Sequence, residues 1–330
     1  AGRDPVVKAL VTGAGGFIGA SLVRWLLDGG HDVVAIERPE GSTWRLEEVA
    51  GDAEIVAVDL RDGHGVGALV HERRPEWIFH LAAHGAYSWQ RDSERIMQTN
   101  LVSTVRLLAA CEQAGFEAFV HAGTSSEYGF KDHAPSETER VDPNSDYAVM
   151  KAAATIHCRF VAQRDDRHIV TLRLYSVFGP WEEPGRLMPN LVARGLEGRL
   201  PPLVSPETPR DFVSVRDVNR AFVEVATRTD LPRGAVYNIG SGRETALREV
   251  VEIARAEMGI EVEPEWGTEP QREWDAKVWV ADPTLAAQEL GWRVEDVVAT
   301  GFRALADWLR GRPDLWPRFA RRETGFDPQA

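Results

Sequence analysis

The sequence predicts an α/β fold: a doubly wound parallel sheet with a smaller C-terminal α/β lobe. Three observations carry that prediction. Short β-branched runs alternate with longer segments of helical period. The strand-like runs do not alternate apolar with polar residues, which is the pattern of strands buried on both faces. A glycine-rich loop joins the first strand to the first helix.

In chain order, strands are predicted at 6–12, 33–37, 55–59, 77–81, 118–121 and 169–175, with helices at 17–28, 93–114 and 145–164. Strands joined through helices pair in parallel, because the crossover needs a dozen or so residues of chain. After Gly179 and Pro180 the texture changes, as proline, glycine and arginine become frequent and strands become short. Residues 1–179 are therefore expected to form the main domain. Residues 180–330 form mainly the smaller lobe, with the chain crossing back to the main domain. Helical signals return at 215–227, 246–258 and 294–310, with a short strand at 235–239 and a tail after Pro313 that is surface-packed or loose.

A chain of 330 residues suits two domains, or one domain with a cap. Its 43% hydrophobic and 27% charged residues exclude collagen-like and disordered chains. The 38 Lys and Arg against 51 Asp and Glu leave a net charge of −13, which excludes general binding to nucleic acid or an anionic membrane. Any anionic ligand must be held locally. The two cysteines, Cys111 and Cys158, lie in apolar helical stretches without metal or disulfide spacing, so no metal site is expected. No apolar run approaches the roughly 20 residues that span a bilayer. The N-terminus leads straight into a strand, which leaves no room for an apolar leader and predicts a cytoplasmic protein.

The loop Gly13-Ala14-Gly15-Gly16-Phe17-Ile18-Gly19 follows the first strand and opens a helix. Gly13 and Gly16 let the backbone turn and approach a pyrophosphate, whose charge the N–H groups and dipole of the helix start, at Phe17 and Ile18, attract. Gly19 lets helix and strand pack closely. The spacing is Gly-x-x-Gly-x-x-Gly, only approximately the common dinucleotide fingerprint. Glu37, at the end of the second strand, can accept hydrogen bonds from an adenosine ribose and favours NAD, while Arg38 beside it keeps NADP open. Asp59 and Leu60 end the third strand, near an adenine or simply capping a turn.

Tyr147 and Lys151 lie four apart at the start of a predicted helix, on one face and about 6 Å apart along its axis. The ammonium is expected to lower the phenol from its usual value of about 10 toward the range useful for proton transfer. The hydroxyls of Thr124, Ser125 and Ser126 follow a strand at the carboxyl edge of the sheet, where open α/β folds place their sites. They can donate to a carbonyl or alkoxide oxygen.

Taken together these residues resemble the extended short-chain dehydrogenase/reductase family, in its nucleotide-sugar epimerase/dehydratase branch, with a Rossmann domain. The resemblance spans nearly the whole chain. It rests on 12–19, His80 to Ala83, Asn100, 124–129, Tyr147 with Lys151, 172–175 with Gly179 and Pro180, 210–213 and 237–240. It implies an NAD(P)-binding domain at 1–179, a mainly substrate-binding lobe at 180–330, and a nucleoside-diphosphate sugar between them. Thr124 then orients the sugar 4-hydroxyl, Tyr147 is the acid/base, and Lys151 clamps the cofactor. Leu81, Ala82, Ala83, Asn100 and Tyr175 join the cofactor residues, with Asn100 also supporting the active-site helix. His84, Ser176, Arg210 and Arg272 face the substrate, the arginines on its diphosphate. His84 has two readings, a second acid/base or a hydrogen-bonded histidine.

Two departures from the branch matter. Ser125 and Ser126 stand where the dehydratases carry an Asp-Glu pair, and neither hydroxyl is a ready acid or base at neutral pH. Ser176 stands where an Asn commonly contacts the diphosphate. The expected activity is an NAD-dependent epimerase acting through a transient 4-keto sugar. The alternatives are an NAD(P)H-dependent 4-ketoreductase and, in another class, a non-catalytic Rossmann redox sensor. By the same resemblance, the helices at 93–114 and 145–164 pair with a second copy in a homodimer.

Overall fold

The computed structural model describes residues 6–87, 89–268 and 278–320. The chain runs β1 (Lys8–Thr12), α1 (Phe17–Asp28), β2 (Asp32–Glu37), β3 (Glu54–Ala57), α2 (Gly63–Arg73) and β4 (Trp77–His80). It continues through α3 (Ser93–Met97), a π turn (Gln98–Val102), α4 (Ser103–Ala114), β5 (Ala118–Thr124), α5 (Asp146–Arg164), β6 (Ile169–Leu174) and β7 (Ser176–Phe178). Then come α6 (Leu187–Gly195), β8 (Pro209–Arg210), β9 (Phe212–Ser214), α7 (Val215–Thr227), β10 (Val236–Ile239), β11 (Thr245–Ala246), α8 (Leu247–Met258), α9 (Val298–Arg310) and α10 (Trp316–Ala320).

Seven strands form one parallel sheet in the order β10-β6-β5-β4-β1-β2-β3. Successive residues of each strand enter different cores. Ala9, Val11, Phe79 and Val120 pack on the face of α1 and α7, while Leu10, Ile78 and Phe119 pack with side chains of α2, α4 and α5. Both faces are therefore apolar, which explains the strands without alternation. Strand order reverses between β1 and β4. The loops leaving their carboxyl ends diverge there and open a crevice, the usual binding place of open α/β sheets.

β5 runs on to Thr124, past the predicted end at 121, because Gly123 and Thr124 still pair with Arg173 and Leu174 of β6. Three helices were not evident in the sequence, the short Trp316–Ala320 helix in the tail among them. The Gly63–Arg73 helix carries three glycines, poor helix formers, yet Val66, Leu69 and Val70 bury it against the core. The Leu187–Gly195 helix is disguised by Pro189 and Gly195. The helix expected at 93–114 is present but interrupted by its π turn. The smaller lobe packs α6, α8 and α9 around Met188, Leu191, Val250, Phe302 and Leu305. Trp292, although it lies after Gly179, packs in the main core, its indole N–H donating to the Asp217 carbonyl at 3.0 Å.

Candidate active site

β1 delivers Gly13 into the crevice with φ +66°, and a Cβ there would lie 2.8 Å from the Ala82 backbone. Only glycine fits. At Gly19 a Cβ would come within 2.2 Å of the Gly13 carbonyl oxygen, so α1 approaches the loop as closely as backbone allows. α1 starts at Gly16 with no side-chain cap and no acidic residue in its first turn. Such a helix start, with Phe17 and Ile18 lining the crevice, fits a pyrophosphate. The Glu37 carboxylate closes on the same loop, accepting the Gly15 N–H at 2.9 Å and the Arg38 N–H at 3.0 Å. That charge fits ribose hydroxyls and repels a 2′-phosphate. Arg38 sits 3.9 Å from it, its side chain 46% exposed. Asp59 caps its own turn through the Arg61 N–H at 2.9 Å and is paired with the Arg61 guanidinium, which holds its carboxyl below the usual range.

Thr124 ends β5 and caps the short 3-10 turn Ser125–Tyr128: its Oγ1 accepts the Ser126 N–H at 3.2 Å, and Glu127 Oε1 accepts the Thr124 N–H at 3.0 Å. Glu127 is wholly buried and ion-paired with Arg173 at 2.9 Å. Ser145 caps α5 by accepting the Ala148 N–H at 3.2 Å, which sets Tyr147 in the first helical turn. The Thr124 side chain lies beside the Tyr147 phenol in the cleft wall and favours its ionised form. Burial pushes that phenol up to about 12, opposed by Thr124 and the positive charge of Arg186. One turn on, Lys151 is buried and pushed down to about 8 by desolvation, its Nζ 3.2 Å from Nε2 of His121. Burial also keeps His121 neutral. Thr124 and Arg186, rather than Lys151, are thus the groups that favour the phenolate in this structure, a correction to the sequence expectation. The reason is that Lys151 turns its ammonium inward to the histidine.

A single cleft of about 1650 Å³ collects Gly13, Gly16, Phe17, Ile18, Gly19, Glu37, Arg38, Asp59, Leu60, Leu81, Ala82, Ala83, His84, Thr124, Ser125, Ser126, Tyr147, Lys151, Tyr175, Ser176 and Arg210. That exceeds the roughly 300–1,000 Å³ of a site for one small ligand. Among the described residues, one predicted residue, Asn100, is not in its wall. Asn100 is buried in the π turn, where its Oδ1 accepts the His84 N–H at 2.8 Å and its Nδ2 donates to the His84 carbonyl at 2.7 Å. Its amide braces the loop after β4. Arg272, with Asp275, lies outside the described residues. Burial, then the charges of Arg95 and Arg38, push His84 down to about 4, so it is neutral.

The structure adds residues that the sequence reading did not assign. Glu127 and Arg173 sit beneath Thr124, and Arg45, Glu182 and Arg186 line the cleft. Burial pushes Glu182 up to about 8. Three polar atoms in the cleft wall are buried without a hydrogen-bond partner: Tyr175 OH, Thr208 Oγ1 and Trp279 Nε1. Among the described residues no cluster of His, Cys, Asp or Glu could hold a metal, and no helix is long and apolar enough to cross a membrane.

Residues 9–240, more than half of the chain, match the model of the NAD dependent epimerase/dehydratase family. The chain belongs to this family. Among its relatives is the UDP-glucose 4-epimerase of Mycolicibacterium smegmatis, 32% identical over 318 residues that cover 93% of this chain and 99% of that one. The dTDP-glucose 4,6-dehydratase of Neisseria meningitidis is 28% identical, over 94% of this chain and 95% of its own. Among solved structures, the Thermus thermophilus UDP-glucose 4-epimerase in complex with NAD superposes with a TM-score of 0.81 at 30% identity, covering 92% of this chain and 99% of that one. Epimerases and dehydratases stand at similar identities. The family is thereby fixed as one of NAD-dependent nucleotide-sugar enzymes, and the reaction is a separate question.

Proposed function

We propose that this family member is a nucleoside-diphosphate-sugar epimerase that binds NAD and inverts a sugar centre through a transient 4-keto sugar. The observation that carries this reading is the meeting of Thr124 and Tyr147 in one cleft wall, where Ser125 and Ser126 occupy the two positions after Thr124. Elimination needs a second acid and base beside the sugar, and neither serine hydroxyl is one at neutral pH.

Bound NAD supplies a hydride acceptor and donor at its nicotinamide. The chain's own residues handle the proton. Tyr147 takes it from the 4-hydroxyl and gives it back, and Thr124 donates to the phenolate while oriented from below by Glu127. Lys151, in the cleft wall beside Tyr147, would clamp the cofactor. Glu37, set against the Gly15 N–H, supports NAD over NADP. Tyr175, Thr208 and Trp279 present unpartnered polar atoms beside Arg210, a wall suited to the nucleotide and diphosphate of the substrate. Val149, Ile156 and Phe160, exposed at 42%, 59% and 54%, form one stripe on α5, which supports a homodimer through that helix. Both cysteines are buried and unpaired, consistent with a reducing, cytoplasmic setting.

The test is to release and identify the cofactor of the purified protein, then incubate it with UDP-, GDP-, CDP- and dTDP-sugars and read products by NMR. Inverted product with no net change at 340 nm supports the epimerase. Stoichiometric consumption of NADPH would instead establish the 4-ketoreductase.

A further inference from the structure

Arg45 lies in the segment between β2 and β3, and its side chain is only 7% exposed. Its guanidinium reaches three places far apart in sequence. Nη1 donates to the Gly15 carbonyl at 3.2 Å, Nε to the Trp181 carbonyl at 2.7 Å, and Nη2 to Glu183 Oε2 at 3.0 Å. Gly15 is thus gripped at both backbone groups, since Glu37 takes its N–H. The other end of the grip is strained. Trp181 adopts φ +72°, a region that bulky residues rarely enter unless the surroundings enforce it. The enforcing contacts are the Arg45 bond, Trp44 and Trp308 at 5.7 and 4.9 Å between ring centroids, and the Arg24 guanidinium 3.8 Å over the ring. The residues that follow, Glu182, Glu183 and Arg186, line the substrate half of the cleft.

We propose that Arg45 is a positioning residue that couples the two halves of the cleft, so that retention of the dinucleotide depends on occupancy of the nucleotide-sugar half. This rests on the reading under Proposed function. A ligand that settles the segment after Trp181 fixes, through one rigid guanidinium, the turn that holds the pyrophosphate loop. Linkage makes the effect reciprocal. Only arginine has a planar fork of donors that serves two carbonyls and a carboxylate at once, and lysine does not replace it. For a redox-neutral enzyme the coupling has a use: it keeps the cofactor in place while the sugar is oxidised and reduced.

The test measures NAD dissociation from the holoprotein with and without a saturating nucleoside diphosphate, the one among UDP, GDP, CDP and dTDP that raises the melting temperature most. In the wild type the nucleotide is expected to slow NAD release at least about tenfold, the factor that about 1.4 kcal/mol represents. In Arg45→Lys that ratio is expected to fall below about threefold. Glu183→Gln, which keeps both backbone bonds, gives an intermediate ratio and stands in if Arg45→Lys fails to fold. A merely structural role predicts faster release in both conditions with the ratio unchanged, and that result overturns the coupling. So does a wild type whose NAD release no nucleotide slows. A wild type that takes up no NAD at all overturns the functional reading, and the coupling with it.

Discussion

Replacing Glu127 with glutamine removes one charge from the layer directly beneath Thr124. Glu127 is fully buried and Arg173 is 5% exposed, so the variant leaves a guanidinium in the core without its carboxylate. Breaking a buried pair in this way costs about 3–5 kcal/mol. That is a large part of the roughly 5–15 kcal/mol that holds a typical domain folded. The glutamine carbonyl can still accept from the Thr124 N–H and the Thr155 hydroxyl, both 3.0 Å from Oε1 in the wild type. Glu127→Ala loses these two bonds as well and should cost about 1–3 kcal/mol more. Arg173 would keep only its bonds to the Tyr128 hydroxyl at 2.8 Å and the Glu137 carbonyl at 3.4 Å. Urea denaturation of Glu127→Gln, Arg173→Met and the double variant forms a cycle, in which the double variant should be more stable than the sum of the singles by about 2 kcal/mol or more. A loss below about 1 kcal/mol in Glu127→Gln, or additive singles, would refute the claim that this pair holds Thr124 in place.

Two further outcomes follow from the same geometry. Desolvation lowers Lys151 from 10.5 to about 8, so between those values the unfolded chain carries a proton that the folded chain does not. Wild-type stability should therefore rise with pH across that window relative to Lys151→Met, by about 3 kcal/mol in all, and be lost again as pH falls through 8. Urea titrations of both proteins from pH 7 to 10.5 check this, and parallel curves would contradict it. In Gly19→Ala the new methyl meets the Gly13 carbonyl at 2.2 Å, both partners being backbone, so α1 must shift off the pyrophosphate loop. NAD affinity, read by titration calorimetry, should fall at least about tenfold, the equivalent of about 1.4 kcal/mol.

The glycine loop, the Tyr147–Lys151 pair and the parallel sheet were legible because each is local: a spacing, a period or a run of apolar residues. Lys151 and its effect on Tyr147 were not, since the direction of a four-methylene chain depends on His121, 30 residues away on β5. Glu127 stood in the quoted run after β5, but its partner Arg173 comes from β6, and only the register that pairs Gly123 with Arg173 brings them together. The bracing of the loop after β4 by Asn100 was not legible, because it depends on the π turn that sets its amide against His84. Arg45 carried no motif at all. Its partners are set by how the lobe after Gly179 folds back on the glycine loop.

The central claim is that one phenol returns a proton to the sugar oxygen while the hydrogen removed from carbon goes back to the same carbon. UDP-glucose carrying deuterium at C4, or the nucleotide sugar that the panel selects, tests it directly. Inverted product should retain the label at C4 with none appearing in solvent, and Tyr147→Phe should abolish inversion. Inversion with the deuterium lost to water, or undiminished inversion by Tyr147→Phe, would contradict the account.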